Sequence, residues 1–164
     1  MCYHLFSLTF FYWRYVVDID SKAGYPACAL SNFAHNAFVF DDVECASMEG
    51  LLQSFKFDKL HIQREVCKLI GIDAKYRGQK RNKAWKSVQK LWWMGVEYDR
   101  HGNEYQKLLD RAFKSLAQNA SFQKAMRASH GSSLTHSMGK SKEADTVLTE
   151  YEFCSRLETI RSNL

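Results

Sequence analysis

Apolar residues recur along this chain chiefly at helical spacing, with a few short runs at the spacing of a strand. After Asn103, the residues Tyr105, Leu108, Leu109, Ala112, Phe113 and Leu116 hold one face for nearly four turns. Leu51, Leu52 and Phe55 form a similar stripe after Ser47, a residue suited to cap a helix running to about Lys56. Val66, Leu69 and Ile70 predict a helix over residues 62–70, stopped by Gly71. Trp85, Val88 and Trp92 stand at i, i+3 and i+7 and predict another near residues 84–94. Ser121 is placed to cap a shorter helix containing Phe122, Ala125 and Met126. Thr149 and Glu152 form a T-x-x-E capping box ahead of Phe153, Leu157 and Ile160.

Strand signals are fewer. Phe, Tyr, Trp and Val crowd residues 10–17, with residues 16–19 completing that strand before a turn at Gly24, Tyr25 and Pro26. Phe38-Val39-Phe40 is closed by Asp41-Asp42, and residues 133–137 make a third candidate. The expected fold is therefore mainly α, formally α+β: a single compact helical domain with a few short strands. A chain of 164 residues with 46% apolar content fits one domain and can bury a sizeable core.

Composition narrows the setting. Five cysteines without a CxxC pair suit neither a disulfide framework nor a structural zinc site, and no other metal spacing occurs, so we expect no metal, no cofactor and a reducing cytoplasm. Residues 1–15 are apolar, yet they lack a basic leader and a cleavage site, and His4 and Arg14 interrupt them. Neither a signal peptide nor a membrane span, which needs about 20 apolar residues, is expected. The formal charge of +5 is uneven: from Ala74 to Val96 there is no acidic residue, while Lys75, Arg77, Lys80, Arg81, Lys83, Lys86 and Lys90 fall in that window. Such a cluster suits a phosphate-bearing ligand or nucleic acid, or else forms a solvated loop and helix face.

The most suggestive chemistry lies on the helix after Ser47. Glu49, Gln53 and Lys56 lie at i, i+4 and i+7, one narrow stripe at about 100° per residue. Glu49 stands in the first turn, where the helix dipole favours an ionised carboxylate, suited to act as a base or to stabilise an oxocarbenium-like cation. Lys56 offers an amine that can hold a phosphate or attack a ring-opened sugar. Trp85 is either core or the aromatic wall of a pocket beside the basic window, where Lys83 is the cation proposed to contact ligand. His136 is either an acid working near neutral pH or a structural histidine.

Leu30-Ser31-Asn32-Phe33-Ala34, then Ser47-Met48-Glu49, Gln53 and Lys56-Phe57, resemble the NADAR family of YbiA-like N-glycosidases, whose pattern is close to (F/L)SNFA followed by S-x-E-H-x-x-Q-x-x-K-F. Trp85 stands where that family carries a Trp, and Ala112-Phe113 with Asn119 is similar to a later segment. The resemblance spans about residues 24–160. It implies a mostly helical domain hydrolysing the bond between a ribose carbon and an exocyclic nitrogen, with phosphorylated ribosylamino-pyrimidines of riboflavin synthesis or ADP-ribosyl-guanine as substrates. Glu49 maps to the catalytic carboxylate, Trp85 to the stacking aromatic, and Asn32 and Lys56 to the ribose pocket. Gly50 replaces the His that usually follows the catalytic Glu. The late D-x-x-W-G-D-G stretch is missing, and Asp145 is the nearest acidic substitute.

The sequence reading is thus an N-glycosidase with Glu49, Lys56 and Asp145 as catalytic groups and Asn32, Phe33, Gln53, Lys83, Trp85 and His136 around the substrate. Its partner would be a ribosyl or ADP-ribosyl small molecule or ADP-ribosylated DNA, with no membrane. A non-catalytic ADP-ribose or nucleic-acid binding module is the alternative. A third reading makes Trp92-Trp93 an exposed anchor for a protein partner.

Overall fold

The computed structural model describes residues 15–164. Its order is β1 (Val16–Asp18), α1 (Ala27–Leu30), β2 (Phe38–Phe40), β3 (Val43–Cys45), α2 (Met48–Ser54), α3 (Leu60–Cys67), α4 (Gly71–Gln79), α5 (Asn82–Val88), β4 (Lys90–Trp93), β5 (Val96–Asp99), α6 (Asn103–Leu116), α7 (Ala120–Ala128), β6 (Ser133–Thr135), a 3-10 turn (Glu143–Asp145) and α8 (Glu150–Ser162). Helices dominate, and the strands form three two-stranded ribbons: β1 with β6 in parallel, and the antiparallel pairs β2–β3 and β4–β5. The mainly helical α+β domain expected from periodicity is what forms. Among the described residues, no helix is long and apolar enough to cross a membrane. The part of the first expected strand before residue 15 lies outside the described residues, as does nearly all of the apolar leader.

α2 is the centre of the molecule. All seven of its residues are buried, Glu49 and Gln53 included. Ser47 caps it as expected, accepting from the Gly50 amide at 3.0 Å while its own hydroxyl donates to the Leu69 carbonyl at 3.0 Å. Gly50 lets α3 come close, because a Cβ there would lie 2.6 Å from the Leu69 oxygen and 3.0 Å from those of Cys67 and Val66. α6 buries the six apolar residues its periodicity marked. The Thr149 capping box opens α8, with the Glu152 carboxylate accepting from the Thr149 amide and the Thr149 hydroxyl from the Glu152 amide.

Several expectations fail for physical reasons. Gly71 does not stop a helix; α3 ends at Cys67, and Gly71, at φ +50°, opens α4, which runs on into the basic window. Trp85, Val88 and Trp92 do not share a helix. Gln89 adopts the left-handed conformation and ends α5, its backbone amide donating to the Trp85 carbonyl and its side-chain amide to that of Lys86, and the chain continues as β4 with Leu91 and Trp93 pointing inward. Val88 is consequently exposed. Trp93 is buried with its indole N–H on the Asp41 carboxylate at 2.9 Å and Trp92 is half-buried, so the two rings do not form an exposed paired anchor. Asn119, not Ser121, caps α7, accepting from the Phe122 amide at 2.9 Å. Asp41 and Asp42, with φ of 46° and 61°, form the two-residue turn between β2 and β3.

Candidate active site

α2 contributes the floor of a cavity of about 330 Å³. The loop after α1 supplies Asn32 and Phe33, α4 supplies Lys75 and Gln79, α5 supplies Asn82 and Trp85, and the segment from His136 to Thr149 closes the far side. Such a volume lies at the lower end of the range for small-molecule sites, which runs from about 300 to 1,000 Å³.

Glu49, Gln53 and Lys56 face this space as one hydrogen-bonded row. The Gln53 amide N–H donates to Glu49 Oε1 at 2.9 Å, and Lys56 Nζ donates to Gln53 Oε1 at 2.5 Å. Lys56 also donates to Asn82 Oδ1 at 2.8 Å, an oxygen that accepts the Trp85 indole N–H at 3.1 Å. Only 8% of Glu49 and 5% of Lys56 is exposed.

Burial sets their protonation. Loss of hydration raises the Glu49 carboxyl above the ordinary range, and the Gln53 hydrogen bond and the nearby Lys56 only partly offset this. Burial thus opposes the ionised state that the helix dipole alone would favour, and the first amides of α2 do not face the carboxyl: the Glu49 amide donates to the Asn32 carbonyl and that of Gly50 to Ser47. Burial likewise lowers the Lys56 amine to about 8, with Glu49 opposing the shift and Lys86 and Lys140 adding to it.

The remaining candidates separate. Asn32 lines the cavity, and its side-chain oxygen is buried without a protein partner. Phe33 is partly exposed there, with Lys75 Nζ 5.7 Å from its ring centre. Trp85 is 1% exposed and lines the wall with Lys56 Nζ 5.9 Å from its ring centre; so little surface leaves no face on which a base can stack, and Phe33 is the better platform. His136 lines the cavity with Nδ1 2.7 Å from the Ile19 carbonyl, which fixes the proton on Nδ1 in the neutral ring and turns Nε2 away from that contact. Asp145 sits at the exposed rim, 3.2 Å from Lys86 Nζ. Lys83 is exposed and does not line the cavity; Lys75 and Lys140 do. Sequence reasoning missed Asn82, Gly78 and Lys140 because none belongs to an apolar period. Among the described residues no cluster of three His, Cys, Asp or Glu side chains could hold a metal ion.

The fold has been seen before. The NMR structure of the E. coli protein YbiA matches this fold with a TM-score of 0.59 at 13% identity, covering 91% of this chain and 84% of that one. YbiA being a NADAR member, the fold is YbiA-like, as the sequence motifs implied. By sequence, the chain belongs to the bacteriophage protein GP30.3 family, whose model matches residues 24–162. It is 36% identical over 151 residues, covering 90% of this chain and 98% of the relative, to a protein of Enterobacteria phage T4 described as an uncharacterized 17.1 kDa protein in the Gp30-rIII intergenic region.

Proposed function

We propose that this protein hydrolyses the bond between a ribose anomeric carbon and an exocyclic base nitrogen, in ADP-ribosyl-guanine, free or on DNA, or in a phosphorylated ribosylamino-pyrimidine. The observation that carries this reading is a carboxyl from the first turn of α2 and an amine from the turn just past its end, both buried against one sugar-sized cavity, where loss of hydration pushes each toward its neutral form. Such opposed shifts are what acid–base chemistry near neutral pH requires.

In the proposed reaction the C1′–N bond breaks with its electron pair going to nitrogen. The protonated Glu49 carboxyl supplies the proton that nitrogen takes up, and the resulting carboxylate lies beside the oxocarbenium-like carbon. Water adds to that carbon and passes its proton to the neutral Lys56 amine, so Lys56 takes the second role that Asp145, at the rim, is poorly placed to fill. Phe33 would stack on the base, Asn32 would accept a hydroxyl, and Lys75 and Lys140 would hold phosphate.

The test offers the purified protein an ADP-ribosylated guanine oligonucleotide and a ribosylamino-pyrimidine phosphate and looks for released sugar by mass spectrometry. Release from either is expected. Release from neither, with ADP-ribose still bound, would establish the binding module instead, for which Gly50 in place of the family's His is the favouring observation.

A further inference from the structure

Gln53 has a constraint that no residue of the cavity shares. Its amide carries one acceptor oxygen and one donor nitrogen, and the two ends meet groups of opposite character. An ammonium only donates, and Glu49 Oε1 accepts from Gln53 here, so the observed orientation, nitrogen toward Glu49 and oxygen toward Lys56, is the one that serves both neighbours. Turning the amide over would set N–H against ammonium and oxygen against carboxylate. The side chain is also closely backed on one side. It lies flat on the backbone of α4 at Gly78, where a Cβ would fall 1.9 Å from Gln53 Oε1 and 2.8 Å from its Cβ and Cδ. Gly78 is buried, and its φ is ordinary, so space rather than backbone conformation demands glycine there.

We propose that Gln53 is a positioning residue, pressed into place by Gly78, which ties the Lys56 amine to the Glu49 carboxyl and thereby sets the reactivity of both. The consequence for catalysis rests on the hydrolase reading, whereas the link between the two groups does not. Lys56, two residues past the end of α2, is faced by Glu49 and Gln53 from that helix and by Asn82 and Lys86 from α5, while Lys75 from α4 and His136, Lys140 and Asp145 from the closing segment share the cavity. Of these, Gln53 and Asn82 accept hydrogen bonds directly from its amine.

The experiment follows the Lys56 side-chain ε-carbon by NMR against pH, with the resonance assigned from its absence in Lys56→Arg. In the parent the midpoint is expected near the lowered value of about 8. Gly78→Ala displaces the Gln53 amide while keeping every polar group, and should lower the midpoint by about one pH unit, since the ammonium loses an acceptor. Gln53→Met, close in shape, should do the same and decides the matter if Gly78→Ala does not fold. An unchanged Lys56 midpoint in Gln53→Met overturns the proposal. No substrate enters the measurement, so a parent protein that releases no sugar would end the hydrolase reading and leave this link standing.

Discussion

Glu49 and Glu152 each lie in the first turn of a helix and are almost equally withdrawn from solvent, 8% and 7% exposed, yet their carboxyls are driven in opposite directions. For Glu152 burial alone raises the pKa, but Arg100 donates from both terminal nitrogens at 3.0 and 2.7 Å, the Thr149 amide adds 2.6 Å and Gln106 another 2.7 Å, and the net result is a lowered value. Glu49 receives the single Gln53 donor and stays raised. A buried acid supplied with all its donors is held as a carboxylate; one left short of them is pushed toward its protonated form. Arg100 also donates to the Thr146 carbonyl at 2.8 Å and Tyr105 to that of Val147 at 2.7 Å, so the saturated cluster anchors the segment that closes the cavity of the unsaturated one.

Breaking the saturated side should have the largest effect. Arg100→Met leaves Glu152 buried without its partner and is expected to cost about 3–5 kcal/mol in urea denaturation. Because the folded Glu152 pKa lies below its unfolded value of about 4.3, its contribution is present above that pH and is lost as pH falls through the folded value. The parent should therefore lose more stability than the variant on acidification.

On the unsaturated side, Glu49→Gln should reduce sugar release by about 10²–10⁴-fold with ligand affinity retained. Its stability should move the other way. The raised pKa means that ionisation costs the folded state stability increasingly as pH climbs from about 4.3 through the folded value. Glu49→Gln should accordingly resist urea better than the parent at neutral pH and equally at acidic pH; a less stable variant at neutral pH would contradict the contrast drawn here.

Restoring the family's residue with Gly50→His forces a side chain against the Leu69 carbonyl and should destabilise by about 1–3 kcal/mol. Turnover in the parent should rise with pH through about 8 as Lys56 loses its proton, and the Lys56→Met variant should lose that limb of the profile. The smallest effect is expected from Lys86→Ala, which removes a surface pair with Asp145 worth about 0–1 kcal/mol.

Reading the chain alone recovered α2, α6 and α8 with their caps at Ser47 and Thr149, because each is encoded by residues within a few turns of one another. It misread the stretch from Trp85 to Trp93, where two aromatics at helical spacing belong to different elements and the break depends on Gln89 reaching the left-handed region. The stripe of Glu49, Gln53 and Lys56 was visible, yet the state of its charges was not, since the free helix start inferred for α2 is filled by the Asn32 carbonyl and the Ser47 hydroxyl.

What local sequence determined was which segments coil and which side chains share a face, for periodicity is a property of near neighbours. Tertiary structure alone decided that α4 presses Gly78 onto Gln53, that Asn82 meets Lys56 from 26 residues away, and that the segment before Thr149 closes over both. Hydration and hydrogen-bond supply depend on everything surrounding a group, which is why two first-turn glutamates with the same local credentials ended with opposite electrostatics.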